Sequence, residues 1–313
     1  MRRAVARCFV TRQLPGPALD RLRERHQVDV WTEPLPPPYE ELRARTAEVE
    51  GLLSLLTDRV DAALIDGSPH LRAIANYAVG YDNIDLAAAH VRGIPVGNTP
   101  DVLTDATADL AFTLLLAAAR HLPDALKFVA DGGWLTWDPN GMLGHDVFGA
   151  TLGIIGMGRI GRAVARRAEG FEMTVLHTGA EGGVPLETLL ARSDFVSIHA
   201  PLTPDTHHLI DAAALSAMKP TAILVNTARG PIVDQAALAD ALRRGEIAGA
   251  ALDVTDPEPP PADDPLLSAP NLIVAPHIGS ATHTAREAMA TRAVDNLLAA
   301  LDGEPMPHPV HTG

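Results

Sequence analysis

Short apolar runs alternate with helix-like segments from one end of this 313-residue chain to the other, and that alternation restricts its fold more than any other feature. A strand buried on both faces reads as a continuous apolar run, and strands joined through helices run parallel because each helix carries the chain back to the starting edge. One set of runs lies at 5–10, 27–31, 51–56, 71–75 and 94–97, with helices between them such as 17–26. A second set lies at 151–155, 174–177, 195–199, 223–226, 250–254 and 272–275. Between the sets, 102–120 is a long apolar segment whose Thr- and Asp-rich start and Arg120-His121 end match the preferences of helix termini. The chain after Thr284 reads as one helix to about Leu301, expected to pack back on the first set. The length suits two domains, each able to bury its own core. The expectation is an α/β protein of two doubly wound parallel-sheet domains, 1–98 with 285–313 forming one and 99–284 forming the other.

Charge and cysteine content remove several function classes. With 25 basic and 39 acidic side chains the net charge is −14. Such an acidic surface, with no Lys/Arg cluster, disfavours nucleic acid and anionic membranes, yet leaves room for a local basic pocket that takes a small anion. No uninterrupted apolar stretch approaches the roughly 20 residues of a membrane span. The longest, 110–119, reads as a buried helix. Cys8 is the only cysteine, which excludes an internal disulfide and a thiolate metal cluster and fits a reducing cytoplasm. Arg2, Arg3 and Arg7 run directly into the first apolar run without a signal-peptide core, so no targeting segment is expected.

The second set opens with Gly156-Met157-Gly158-Arg159-Ile160-Gly161, directly after a strand and at the start of a helix. In that context a G-x-G-x-x-G run is a dinucleotide-binding turn. Gly156 allows the tight turn, Gly158 lets a pyrophosphate approach the backbone, and Gly161 brings helix against strand. Amides at the helix start hold the phosphates. The next strand leaves through His177-Thr178-Gly179-Ala180-Glu181-Gly182-Gly183. An acidic residue there would bind the ribose hydroxyls of NAD, and a basic cluster would accept the extra phosphate of NADP. Glu181 stands late for the first role and no arginine serves the second, so the nucleotide stays open.

Three polar residues stand just past the last three strands: Arg229 after the run 222–225, Glu258 after 249–254 and His277 after 272–276. Parallel strands would deliver them to one carboxyl edge, where open α/β sheets bind ligands. A guanidinium can hold a carboxylate or carbonyl with paired hydrogen bonds, and an imidazole can donate the proton that a reduced carbonyl requires. Glu258 would orient that ring and favour its charged form. His199, beside Pro201, is expected to line the cofactor cleft, whereas His207-His208 has no suitably spaced third ligand and reads as surface rather than as a metal site. The loop 131–141 holds Trp134 and Trp137, either as a partner-facing pair or as a plug for a gap in their own domain.

Together, the segments 156–161, 193–203, 226–230, 251–259 and 276–282 resemble those of the D-isomer-specific 2-hydroxyacid dehydrogenases, and the resemblance covers essentially the whole chain. Residues 51–60, 99–105 and 303–307 resemble the glyoxylate reductase/hydroxypyruvate reductase branch. The resemblance implies a Rossmann cofactor domain inserted into a flavodoxin-like substrate domain, and NAD(P)H-dependent reduction of a small 2-keto acid to the D-2-hydroxy acid. By the same resemblance Arg229 binds substrate, His277 is the general acid/base and Glu258 supports His277. Asp253 would contact the nicotinamide carboxamide, and Arg159, Ile160, Thr107, Pro201, Thr227 and Gly279 would join the fingerprint glycines around the cofactor. Leu55, Ser280 and the backbone amides of Val79 and Gly80 would meet the substrate. The family's homodimer forms through the cofactor domains, and Trp137 would reach into the neighbouring subunit's site.

Members of this branch that prefer NADPH carry arginine where this chain has Ala180, while Gly179 stands where strict NAD use would place an acid. NADP and NAD therefore both remain open. The family also includes transcriptional corepressors, so a cofactor-sensing binding protein is the alternative to an enzyme. Phosphoglycerate dehydrogenase would require a regulatory domain beyond Gly313, and phosphite oxidation a lysine in place of Val79.

Overall fold

A computed structural model describes residues 5–179 and 182–310. Arg2 and Arg3, and the nucleotide-preference positions Ala180 and Glu181, lie outside the described residues. The chain divides into two units, Met1–Leu103 with Ala281–Gly313, and Thr104–Ser280. The crossings fall at 103/104 and 280/281, whereas the sequence reading put them at 98/99 and 284/285. Asn98 and Thr99 are still tied to the first unit: the Asn98 amide donates to Val79 O at 2.7 Å, and Thr99 N donates to Ala78 O at 2.9 Å.

In the first unit β1 (Arg7–Val10), β2 (Gln27–Val30), β3 (Gly51–Ser54), β4 (Ala73–Asn76) and β5 (Val96–Gly97) form a parallel sheet of order β2-β1-β3-β4-β5. That is the flavodoxin-like order, and it reverses between β1 and β3, so the carboxyl ends of these strands mark the switch point where ligands bind. The connecting helices are α1 (Ala18–Arg23), α2 (Tyr39–Ala47), α3 (Ala62–Asp66) and α4 (Leu86–Val91). Phe9, Leu52, Ile74 and Val96 face Leu42, Leu64, Ile65 and Ala89 of α2 to α4. Each of these Phe, Leu, Ile and Val side chains contributes roughly 1.5–3 kcal/mol on full burial. The fourth strand begins at Ala73, not at position 71. Leu71 is buried but belongs to the turn after α3, its amide donating to Ser68 O at 3.2 Å.

The second unit starts with α5 (Thr104–Ala119) and α6 (Leu122–Ala130), followed by β6 (Thr151–Ile155), α7 (Arg159–Glu169), β7 (Thr174–Thr178), α8 (Leu186–Arg192) and β8 (Phe195–Ile198). It continues with α9 (Ala212–Ser216), β9 (Ile223–Asn226), α10 (Gln235–Arg244), β10 (Gly249–Leu252) and β11 (Leu272–Val274). The parallel sheet has the order β11-β10-β9-β8-β6-β7. Phe195, Ile223 and Val225 pack with Ala108, Leu115, Ala163 and Val164 of α5 and α7. Their chain neighbours Val196 and Leu224 pack with Leu189, Leu215 and Leu238 of α8 to α10. Helices thus cover both faces, which is why these strands read as unbroken apolar runs. Between β7 and β8 the described residues hold only α8, so the chain crosses straight back to pair with β6. The sequence reading did not anticipate α6. It buries none of its residues and therefore lacks an inward apolar stripe.

The last helix, α11 (His283–Leu301), belongs to the first unit and packs with α1, β3 and β4. Its N-terminus is capped by Thr282, whose hydroxyl accepts from Ala285 N at 3.1 Å. No helix among the described residues is long and apolar enough to cross a membrane.

Candidate active site

In the second unit β9, β10 and β11 are adjacent and parallel, and Leu252 stands level with both Asn226 and Val274. Their carboxyl ends form one edge, and Arg229, Glu258 and His277 lie in the three segments that leave it. The Arg229 turn is built by Asn226, a buried amide at the end of β9. Its Oδ1 accepts from Ala228 N at 3.0 Å and its Nδ2 donates to Arg229 O at 2.8 Å. This bends the chain so that Arg229 leaves in an extended conformation, with Gly230 behind it. A Cβ on Gly230 would lie 2.0 Å from Thr255 O, so only glycine lets this turn rest against the segment leading to Glu258. That segment is fixed in turn by Gln235, whose Oε1 accepts from Asp256 N at 3.0 Å, and by Thr255, whose hydroxyl donates to Pro257 O at 2.8 Å.

His277 Nδ1 and Glu258 Oε1 are 2.6 Å apart. The histidine has φ 54°, a left-handed conformation uncommon for a residue with a side chain, and Asp253 stabilises it. Asp253 O accepts from His277 N at 2.9 Å, Oδ1 from Ile278 N at 2.7 Å, and Oδ2 from Gly279 N at 2.7 Å. Three successive amides are thus held by one residue that is 1% exposed. Burial pushes the Asp253 carboxyl above its ordinary range, while the Ile278 and Gly279 amides and the charge of His277 oppose that rise. The resemblance implied a nicotinamide contact for Asp253; here both of its carboxylate oxygens accept from its own chain. Neither this clamp nor the Asn226 turn was foreseen from sequence. The only signal was a polar residue at the end of an otherwise apolar strand.

The glycine turn lies on the same sheet, at the carboxyl end of β6. Gly156 has φ 94°, and a Cβ there would meet Ala200 N and the His199 carbonyl carbon at 2.7 Å. A Cβ on Gly161 would meet Gly156 O at 2.2 Å, whereas one on Gly158 would meet nothing within 4 Å. Gly156 and Gly161 let the turn close, and Gly158 is open backbone. Arg159 and Ile160 begin α7, whose start has no side-chain cap, and a helix N-terminus is a favourable place for an anion. His199 Nδ1 and Thr227 Oγ1, at the ends of β8 and β9, are sealed from solvent and have no protein partner among the described residues. Unsatisfied polar atoms beside an open glycine turn fit a polar ligand such as a dinucleotide. Thr107 of α5 lies beside Gly279, where a Cβ would come within 3.3 Å of its methyl group, and Pro201 O accepts from Thr206 Oγ1 at 2.7 Å.

Leu55, Val79 and Gly80 lie in the first unit, just beyond the carboxyl ends of β3 and β4, and Ser280 closes the second unit. Trp134 and Trp137 are 67% and 79% exposed, so neither fills a gap in its own unit. His207 and His208 stack on each other at 4.1 Å in a surface turn.

Residues 112–279 match the sequence model of the "D-isomer specific 2-hydroxyacid dehydrogenase, NAD binding domain". A protein of Korarchaeum cryptofilum named glyoxylate reductase is 50% identical over 317 residues, covering 97% of this chain and 96% of its own. A solved Thermus thermophilus protein is 51% identical with a TM-score of 0.93, covering 97% of this chain and 100% of its own. The NADPH-dependent glyoxylate/hydroxypyruvate reductase of Sinorhizobium meliloti, solved with NADP and malonate, is 36% identical with a TM-score of 0.87, covering 98% of this chain and 97% of its own. With the glycine turn, the parallel sheets and the His277–Glu258 pair in place, these similarities mean that the chain belongs to the D-isomer-specific 2-hydroxyacid dehydrogenase family, in its glyoxylate reductase branch.

Proposed function

We propose that the protein reduces glyoxylate or hydroxypyruvate to glycolate or D-glycerate at the expense of NADH or NADPH. The observation that carries this reading is the 2.6 Å pair of His277 and Glu258 on the sheet edge that also bears the glycine turn. Relatives named glyoxylate reductase at about half identity over nearly the full length support the substrate class.

When bound, NADH or NADPH would supply the hydride for the carbonyl carbon. His277 delivers the accompanying proton to the carbonyl oxygen. Its Nδ1 faces Glu258, which leaves Nε2 as the nitrogen that exchanges with substrate. Glu258 fixes the ring's orientation and tautomer. Arg229 holds the substrate carboxylate and carbonyl with a planar fork of donors, which polarises the carbonyl for attack. The Val79 and Gly80 amides bind the substrate carboxylate, and Leu55 and Ser280 are further substrate contacts. Gly156, Gly158, Arg159, Ile160 and Gly161 would hold the pyrophosphate, Asp253 would contact the nicotinamide carboxamide, and Thr107, Pro201, Thr227 and Gly279 would join them around the cofactor.

The active form is a homodimer joined through the second unit. Leu122, Leu126, Phe128 and Val129 of α6, with Leu135 and Trp137, give this unit an exposed apolar surface of the kind that marks association sites, and Trp137 is the residue that reaches the partner's site. The buried, unpaired Cys8 suits a reducing cytoplasm. Loss of nicotinamide absorbance with glyoxylate, hydroxypyruvate and pyruvate, each with NADH and with NADPH, tests the reading. Rapid oxidation with one pair supports it. Nucleotide binding without oxidation by any of the three contradicts it and favours a sensing role.

A further inference from the structure

Asparagine side chains hold the backbone at the carboxyl edge of the first sheet. Asn76 ends β4; its Oδ1 accepts from Ser54 Oγ at 3.0 Å, and its Nδ2 donates to Gly80 O at 2.9 Å and to Asn83 Oδ1 at 3.0 Å. Asn83 Nδ2 donates at 3.0 Å to both Leu55 O and Asp58 O. Asn98 Nδ2 donates to Val79 O at 2.7 Å, and Thr99 N closes on Ala78 O at 2.9 Å. Three successive carbonyls, those of residues 78, 79 and 80, are therefore tied to the body of the unit. In a planar trans peptide the N–H points away from the C=O of the same unit, so these ties turn the amides of Val79, Gly80 and Tyr81 the opposite way. Among the described residues of this unit neither the Val79 nor the Gly80 amide donates to a protein acceptor. Successive outward amides form a concavity that binds an anionic oxygen.

We infer that Asn76, Asn83 and Asn98 are positioning residues that set affinity for the carboxylate of the 2-keto acid by aiming the amides of residues 79 and 80. Asn83 adds a second function: its two bonds join the loop carrying Leu55 to the loop carrying those amides, so both move as one body. The inference rests on the proposed reductase activity and extends it from the groups that touch substrate to the side chains that hold them in place. It also explains why polar amides occupy a region otherwise built from apolar strands. A buried Asn costs free energy unless its donors and acceptor are satisfied, and the Asn76 amide meets partners on both its oxygen and its nitrogen.

The test is steady-state kinetics of the full-length Asn83→Ala and Asn98→Ala variants with glyoxylate, alongside NADH binding by fluorescence and inhibition by oxalate. Each variant is expected to raise KM for glyoxylate and the oxalate inhibition constant together, by about tenfold or more. The value of kcat and NADH affinity should stay within about threefold of wild type, since ground-state binding alone is weakened. A merely structural role would instead lower the melting temperature and leave KM and oxalate inhibition unchanged in the folded fraction. If Asn83→Ala fails to fold, Asn98→Ala, which frees only the Val79 carbonyl, is read in the same way. An active wild type with variant KM and inhibition constants within about twofold of its own overturns the inference alone. A wild type that binds NADH but reduces no 2-keto acid overturns the reductase reading and this inference with it.

Discussion

His277 Nδ1 and Glu258 Oε1 lie 2.6 Å apart although the residues are separated by 19 positions in the chain. The contact exists because β10 and β11 are hydrogen-bonded neighbours running in the same direction, so the segments leaving them share one edge. Asp253, at the end of β10, then binds the amides of His277, Ile278 and Gly279 and forces the turn that brings the ring back over the edge. Two residues from one inter-strand segment, Asp253 and Glu258, thus fix the backbone and the side chain of a histidine in the next.

Glu258→Ala removes the acceptor that holds His277 Nδ1 and so frees the ring to turn. The value of kcat for glyoxylate should fall about tenfold or more while NADH affinity stays within about threefold of wild type. Glu258→Gln, whose amide oxygen can still accept from Nδ1, should retain more of the activity. Steady-state kinetics beside fluorescence titration check this. An unchanged kcat in Glu258→Ala would exclude the role given to Glu258.

Arg229→Lys retains a positive charge but loses the planar fork. KM for glyoxylate should rise at least about tenfold, equivalent to roughly 1.4 kcal/mol, with NADH affinity unchanged. Kinetic constants matching wild type would mean that a point charge suffices, and paired hydrogen bonding would have to be abandoned.

Gly156→Ala places a methyl group 2.7 Å from Ala200 N and the His199 carbonyl carbon, at φ 94°. Both neighbours are backbone and neither can rotate away. The variant should lose about 1–3 kcal/mol of stability and bind NADH more weakly, which urea unfolding and fluorescence titration would reveal. Gly158→Ala, where nothing lies within 4 Å, should fold like wild type and lose only cofactor affinity.

The strands were legible because burial on both faces demands apolar side chains: Ile223–Asn226 and Thr151–Ile155 stand where their sequence pattern puts them. Strand ends were less so. Leu71 is apolar because it is buried in a turn, and Asn76 is a strand residue despite its polarity because Ser54, Gly80 and Asn83 satisfy it. The positions of Arg229, Glu258 and His277 along the chain follow from the strand pattern, but the devices that aim them do not. Asn226, Gln235 and Asp253 act through partners chosen by sheet order, and no local spacing encodes that Leu252 stands level with both Asn226 and Val274. Helix α6 escaped for the opposite reason, since its apolar residues face outward.

The His199 imidazole is held down to about 4, from an ordinary value of 6.5, by desolvation; its Nδ1 is sealed from solvent although part of the residue reaches the surface. A depressed value means that the folded state resists a proton that the unfolded chain accepts. The associated stability is complete above pH 6.5 and is lost as pH falls toward about 4, by up to roughly 3 kcal/mol. Urea unfolding across that window should steepen in wild type and flatten in His199→Gln. Equal pH dependence in the two proteins would show that other groups govern acid stability.

The most direct test of the central claim is nicotinamide oxidation with glyoxylate and hydroxypyruvate by wild type and His277→Ala, measured beside nucleotide binding. The account predicts rapid oxidation by wild type, a loss of about 10²–10⁴-fold in kcat for the variant, and unchanged nucleotide affinity in both. Near-normal turnover by His277→Ala, or no turnover by a wild type that binds the nucleotide, would contradict it.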